Sequence, residues 1–411
     1  MSNMDEFKTV TDKKSQRTLC FISTVFLIML LQNGYLHNIP IVLIILPFLF
    51  FGSRYSLRMG KNERNVLIYG FYLIATTVVF FSDNFDRNYT TNIILQYLII
   101  FFSIHFEMQK MDIRKILIYF RNAGIVLSPL CILEAVIKRH FLANILGKKF
   151  EYNIFRVISI FDHPIVCGSF LVMFLCLMIV FPLKNRQNQI IVVMITALAI
   201  ILTRSRSAWL ASAFISFVYY MKLGYKKINR KYAFYLLILF FVLLLAGSGL
   251  GYNIVKEFTQ FIYSRFHGML EAGEGHIVRI EIILSSLEYW RRNPVNFIFG
   301  RGKNYGLFFM KEHPVQKFGT FTWDAAIDNQ YVTLIHETGV IGFSVIMAII
   351  VIVLRRFIKA SKSNKEQLAA DLCLLGNAVC LFFFEGFNYP VLVLMYLILI
   401  IISDKFENGR G

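Results

Sequence analysis

The chain has 411 residues, is 57% hydrophobic and only 17% charged, and carries a formal net charge of +18. Soluble domains are about 25% charged, so this composition, with a mean hydropathy of +0.59, excludes an ordinary soluble protein. Apolar stretches recur along the whole length and mark a polytopic membrane protein, in which basic charge sets loop orientation and does not signal nucleic-acid binding. All six cysteines (Cys20, Cys131, Cys167, Cys176, Cys373, Cys380) fall in apolar segments, so there is no disulfide framework and no metal-ligand spacing.

A helix crosses a bilayer with about 20 apolar residues. In chain order, spans are predicted near 19–36, 39–51, 66–82, 91–106, 116–137, 163–182, 189–203, 207–221, 233–252, 330–354, 368–384 and 388–402. The first follows the basic run Lys13-Lys14-Ser15-Gln16-Arg17, and no small-residue cleavage site follows it, so a retained span is expected there. The fold class is therefore all-α, a polytopic membrane helical bundle of about twelve transmembrane helices. Three parts are expected: an N-terminal membrane bundle of residues 1–252, a large polar external loop at 253–329 with amphipathic helices, and C-terminal spans with a cytoplasmic tail at 330–411.

Loop charge orients the bundle. With the N-terminus inside, the inner connectors carry Arg54, Arg58, Lys61 and Arg64, then Lys110, Arg114, Lys115 and Arg121, then Lys184 and Arg186. The next carries Lys222, Lys226, Lys227, Arg230 and Lys231, and the last carries Arg355, Arg356, Lys359, Lys362 and Lys365. The outer connectors at 83–90 and 385–390 are poor in Lys and Arg. This pattern predicts cytoplasmic N- and C-termini and an outward 253–329 loop. Few spans hold a charge near their middle; the nearest is Glu134, late in the fifth.

Three outer features could carry chemistry. The turn Thr203-Arg204-Ser205-Arg206-Ser207-Ala208-Trp209 joins two short spans and places two arginines against the positive-inside bias. Arginine keeps its charge and donates a planar fork to phosphate, although arginines also snorkel to lipid head groups. In the loop, Ile277, Ile280, Leu284 and Leu287 recur at helical spacing from His276 toward Arg292, where Asn293-Pro294 stops the helix and Gly300-Arg301-Gly302 turns. Arg279 near the start of that helix favours an anion beside the exposed amides, or is a solvated charge on a packing helix. The loop closes on Asp328-Asn329-Gln330-Tyr331, followed by Gly339 and Gly342. Asp328 could act as a base and Asn329 could bond sugar hydroxyls, or the pair could cap a helix whose glycines admit a neighbour. Weaker candidates are Arg156, Asp162 and His163 before the sixth span, His336 about two turns into the tenth, and Glu385 at the outer end of the eleventh. No Walker loop, G-x-S-x-G or H-E-x-x-H is present, and the external loops hold no convincing Asp-x-Asp metal site.

Together these motifs resemble the O-antigen polymerase and O-antigen ligase superfamily (Wzy and WaaL types). The 203–209 turn resembles that family's Ser-Arg turn, with Arg206 as the key arginine. Arg279 through Trp290, Pro294 and Gly300-Arg301-Gly302 resemble its loop motif, and Arg156 through Phe161-Asp162-His163-Pro164 to Gly168 resembles the approach to its sixth span. Asp328-Asn329, nine residues, Gly339, two residues, Gly342 fits its His-Asn-x9-Gly-x2-Gly element except that Asp328 replaces the histidine of the ligases, which tilts the reading toward a polymerase.

The resemblance implies a GT-C-like, metal-independent glycosyltransferase without cofactor in the bacterial inner membrane. It would join undecaprenyl-pyrophosphate-linked oligosaccharide units into O-antigen or capsule at the outer face. Arg206 and Arg279 would clamp the pyrophosphate and Asp328 would be the base. Arg204, Asn329, Arg301, Arg156, His163, His336 and Glu385 would contact substrate, with His336 and Glu385 as reserve bases. The lipid bilayer is the surrounding partner, with a chain-length regulator (Wzz-type) as a further candidate and no nucleic acid. The alternatives are a ligase that moves polymer to lipid A core or protein, and a polysaccharide transporter or flippase. The chain shows little of the repeated halves and mid-membrane charges common in transporters.

Overall fold

The computed structural model describes residues 59–80, 87–109, 111–141, 155–161, 163–223, 274–317, 321–323, 326–361 and 363–407. Among them lie α1 (Lys61–Phe80), α2 (Arg87–Met108), α3 (Ile113–Ile137), α4 (Pro164–Val180), α5 (Arg186–Leu202) and α6 (Arg206–Leu223). They continue with α7 (Glu274–Arg292), α8 (Pro294–Phe299), α9 (Tyr305–Glu312), α10 (Gln330–Lys359), α11 (Lys365–Cys380) and α12 (Pro390–Glu407). A two-stranded antiparallel ribbon, β1 (Val315–Lys317) with β2 (Phe321–Trp323), and a 3-10 turn at Gly386–Asn388 complete the set. Predicted spans 19–36, 39–51 and 233–252 lie outside the described residues, as does Asp162; every other predicted span coincides with a helix.

The chain forms two compact units: residues 1–216, 294–306 and 328–411, and residues 217–293 and 307–327. Segment 294–306 thus groups with the bundle although it lies within the long loop in sequence.

In the first unit α4 is the central helix. It is apolar all round, and a helix without a polar face has to be buried on every side. Of its residues, only Ile165 and Ile179 escape full burial. It packs against α3, α5 and α11, while α10 packs on α1, α8 and α11, and α12 on α1, α2 and α11. Other helices turn large apolar side chains outward: Phe71 is 58% exposed, Val126 62%, Val136 74% and Ile358 64%. Water would not tolerate so many exposed apolar side chains, whereas lipid would. Two described helices, α3 and α10, are long and apolar enough to cross a membrane.

Several helices outrun their apolar stretch. α10 continues to Lys359 and α1 starts at Lys61, because Arg, Lys, Asn and Glu extend a helix beyond the bilayer-thick section that hydropathy marks. In the second unit, α7 ends at Arg292 before Pro294, as the Asn-Pro signal predicts. Its buried face differs from the expected one. Ile282, Ser286 and Trp290, spaced by four, are buried, whereas Leu284 (58%) and Leu287 (52%) are exposed. α7 carries two apolar stripes, and the large Trp290 ring, not the aliphatic spacing, selects the inward one.

Candidate functional site

The Ser-Arg turn is built by alternation. α5 ends at Leu202, Thr203 caps it, and Arg204 takes a left-handed φ of 54° so that the chain re-enters α6 at Arg206. Thr203, Ser205 and Ser207 are buried, and Arg204 and Arg206 are half-buried. The buried hydroxyls hold the turn: Thr203 Oγ1 accepts from the Ser205 amide at 3.2 Å, and the Ser205 and Ser207 hydroxyls lie 2.8 Å apart. Trp209 Nε1 donates to the Ile200 carbonyl at 3.1 Å, pinning the start of α6 to the end of α5. A Cβ on Gly168 of α4 would sit 2.8 Å from Ala208 Cβ, so only glycine lets the turn approach that closely.

Arg156 braces this turn. Its Nε donates to the Thr203 carbonyl at 3.2 Å and its terminal nitrogen to the Arg204 carbonyl at 3.4 Å. The segment carrying Arg156 is held in turn by Glu134, whose carboxylate accepts from the Ile158 amide at 3.1 Å and the Ser159 amide at 2.9 Å. His140 Nδ1 lies 2.7 Å from the same carboxylate. The single buried charge noticed in the fifth span is therefore an anchor for the 155–161 segment. His163 caps α4, and its Nδ1 accepts the Ile165 amide at 3.2 Å. It lies just outside the helix. Burial and the nearby Arg156 charge lower its imidazole to about 4, which keeps the cap lone pair available at neutral pH.

The second half of the site forms where α10 breaks. Gly339 has φ 62° and ψ −172° inside the helix, and a Cβ there would collide with the Ile298 carbonyl. The break frees carbonyls of the preceding turn for outside donors. Arg301 N donates to the His336 carbonyl at 3.0 Å, and Gly302 N donates to the Glu337 carbonyl at 2.8 Å. The Glu337 carboxylate also accepts from Lys303 Nζ at 3.1 Å and from the Asn304 amide at 2.8 Å. Tyr72 of α1 donates to the Phe299 carbonyl at 3.0 Å, and Thr77 accepts from the Lys303 amide at 3.1 Å.

A polar chain runs on from there. Lys303 Nζ donates to Asn388 Oδ1 at 2.8 Å, Asn388 Nδ2 donates to Glu385 at 2.6 Å, and Thr333 Oγ1 donates to the other Glu385 oxygen at 2.9 Å. The ring of Tyr389, next to Asn388, lies 6.1 Å from the His163 ring. Asn329 caps α10 through Oδ1, which accepts the Tyr331 and Val332 amides at 3.0 and 3.3 Å. Asp328 is half-buried with φ 55°, a left-handed conformation that Asp and Asn tolerate better than other side chains. Arg301 stacks over the Tyr305 ring at 5.0 Å, and His336 is buried 6.2 Å from the same ring. Lys303 and Glu337 also sit at the polar end of a cavity of about 180 Å³. Its remaining walls are mostly apolar: Leu73 of α1, Ile349 and Val353 of α10, Leu374 of α11, and Leu397 and Ile400 of α12.

The structure thus joins Arg156 and His163 to the turn of Arg204 and Arg206, and Arg301, His336 and Glu385 to the top of α10 beside Asn329. Arg279 lies in the second turn of α7, in the other unit. Sequence reasoning missed Lys303, Glu337, Thr333 and Asn388. The available signal was proximity to motifs, since Lys303 directly follows Gly300-Arg301-Gly302 and Glu337 stands two residues before Gly339.

The fold is consistent with a helical membrane protein, and its described residues include an arginine-bearing polar site. Residues 191–347 match the family model described as O-Antigen ligase, which supports membership of the O-antigen ligase and polymerase superfamily. That family consists of glycosyltransferase-like, membrane-integral bacterial proteins. The matched stretch holds the Ser-Arg turn, Arg279, Arg301, Asp328 and the α10 glycines. Arg156 and Glu385 lie outside it, yet both hydrogen-bond into it. No curated protein matches the chain.

Proposed function

We propose that the chain is a polysaccharide polymerase that moves a glycan from a polyprenyl pyrophosphate onto the sugar hydroxyl of an incoming lipid-linked repeat unit, at the outer face of the bacterial inner membrane. The observation that carries this reading is the braced Ser-Arg turn. Its hydroxyls are buried and its carbonyls are held by Arg156, so the backbone that carries Arg204 and Arg206 is braced before any substrate arrives. Fixed cations suit a leaving group that gains negative charge, because they need little reorganisation as the bond breaks.

In the transfer, the acceptor oxygen attacks the anomeric carbon, the bond from that carbon to the pyrophosphate oxygen breaks, and the lipid pyrophosphate departs with the electron pair. Arg206 balances its charge, and Arg279 of α7 is proposed separately as a pyrophosphate contact. Asp328 takes the hydroxyl proton, and the Asn329 amide nitrogen orients the sugar, its Oδ1 being committed to the helix cap. The apolar cavity that ends at Lys303 and Glu337 offers room for part of the lipid chain.

The test is glycan length in cells and in vesicles supplied with lipid-linked repeat unit. Arg206→Ala and Arg279→Ala are each expected to abolish long polymer at unchanged protein level, and normal polymer in both would sink the clamp. A second reading, transfer of finished polymer to lipid A core or protein, is favoured by the description of the matching family. Against it stands Asp328 in the position of the ligase histidine. A deletion strain that accumulates single repeat units supports the polymerase, and one that accumulates long unattached lipid-linked polymer supports the ligase.

A further inference from the structure

The opposite end of α10 holds a second cavity that the transfer reaction does not use. Its volume is about 450 Å³, within the roughly 300–1,000 Å³ range of small-molecule sites. It is lined by Lys61, Arg355, Arg356 and Lys359, with Gln367 and Phe406 among the remaining walls, and among the described residues no acidic side chain lines it. The α10 residues that line it run from Ile352 to Lys359, so this cavity lies roughly 35–45 Å along the helix from the Asn329 cap.

Two features separate this arrangement from basic connectors that merely orient a membrane protein. First, the cations converge. Ile352, Arg355, Arg356 and Lys359 follow the three- and four-residue spacing that stacks side chains on one helix face, and Lys61 joins them from the start of α1. Second, one of them is built into the core. Arg356 is 5% exposed, and its guanidinium is fixed by Asp404 and by Ser403 at 3.3 Å. Asp404 is further engaged by the Glu63 amide at 2.8 Å. Asp404 and Asp371 both face Arg356 and Glu63 lies beside Asp404, so the acids of this end gather around the buried arginine, while Lys61, Arg355 and Lys359 supply the positive charge that lines the cavity. Beside it, Val351 (38%), Leu354 (39%) and Ile358 (64%) present an apolar strip on α10 that would run along lipid chains.

We propose that this cavity binds a phosphate anion, and that the apolar strip makes the phosphodiester headgroup of an anionic membrane lipid its occupant. Arg355, Lys359 and Lys61 would contact the phosphate, with Arg356 as a fixed charge behind them. Loop charge places this end on the cytoplasmic side, where anionic lipids attract basic residues at about 1 kcal/mol each.

The experiment uses the purified full-length protein in neutral detergent at fixed ionic strength. Its melting temperature is followed during titration with phosphatidylglycerol, with phosphatidylcholine, or with inorganic phosphate. Phosphatidylglycerol is expected to raise it and phosphatidylcholine to leave it unchanged. Lys61→Gln/Arg355→Gln/Lys359→Gln should bind phosphatidylglycerol at least tenfold more weakly, since each charge is worth about fivefold. Lys359→Gln alone, at an exposed position, should show about a fivefold loss and serves if the triple variant does not fold. A rise with inorganic phosphate that equals the lipid's and is lost in the same variants supports the anion site but overturns the lipid as occupant. Equal response to both lipids, or unchanged phosphatidylglycerol affinity in the variants, overturns the proposal.

Discussion

The two ends of α10 use arginine in opposite ways. At the C-terminal end, Arg356 is buried and paired with Asp404. Around them, Ser403 donates to Asp371, Glu63 lies 2.9 Å from His105 Nδ1, and Lys405 donates to the Met108 carbonyl at 3.0 Å. Among the buried side chains there, charge is matched to charge, and these pairs tie α1, α2, α10, α11 and α12 together, while Lys61, Arg355 and Lys359 stand at the cavity rim. At the N-terminal end, Arg156 spends its guanidinium on backbone carbonyls, while Arg204 and Arg206 stay half-buried on a left-handed turn. A group's local partners therefore distinguish cement from reactive surface, even when the residue type is the same.

The largest expected effect comes from the kink that creates the N-terminal end. Gly339→Ala places a Cβ against the Ile298 carbonyl at a positive φ. We expect a loss of at least about 3 kcal/mol from strain and collision together, measured as a fall in melting temperature accompanied by loss of polymer. A neutral result would mean that the Arg301 and Gly302 amides do not depend on the break in α10.

The comparison of arginines is broken next by exchanging readouts. Asp404→Ala leaves Arg356 as an uncompensated buried charge and should cost about 3–5 kcal/mol, with the remaining folded protein still active. Arg206→Ala should do the reverse, with stability changed by under about 1 kcal/mol and the transfer rate down by about 100- to 1,000-fold. Equal stability losses in the two variants would erase the distinction between the ends.

How much of this was legible in the sequence follows the range of the interaction. Helix positions were readable because the apolar blocks are local, and Asn293-Pro294 marked the end of α7. The Asn329 cap was one of two readings, and the structure uses it for its Oδ1. Lys303 and Glu337 could not be paired in advance. They are 34 residues apart, and only the non-helical Gly339 brings the 300–304 turn onto the carbonyls of α10. Likewise Glu134 read as an isolated charge because two of its partners, the Ile158 and Ser159 amides, lie more than twenty residues away, although His140 is only six residues on. The wrong stripe on α7 has a different origin: aliphatic spacing fits two faces equally well, and one tryptophan decides.

A finer contrast lies within the N-terminal end, at Asp328. Its backbone is left-handed, so alanine would add roughly 1–2 kcal/mol of strain, whereas asparagine accepts the same φ and removes only the ionisable oxygen. Asp328→Asn should therefore keep the melting temperature and lower transfer by about 100- to 10,000-fold if the carboxylate is the base. Near-normal transfer would leave Asp328 as a turn former.

The smallest expected effect tests whether the polar chain beside that carboxylate is cement or site. Thr333→Val is nearly isosteric and removes the hydroxyl that donates to Glu385 at 2.9 Å. Glu385 keeps its bond from Asn388, so one oxygen of a buried carboxylate loses a partner and stability should fall by about 1–3 kcal/mol. If Glu385 only fastens α10 to the 385–388 turn, transfer by the folded fraction stays normal. If it positions Lys303 through Asn388 for the leaving pyrophosphate, the rate falls as well, and restoring the hydroxyl with Thr333→Ser recovers it. That outcome would move Lys303 from the cement to the site, and it would extend the fixed-cation arrangement of the Ser-Arg turn across to α10.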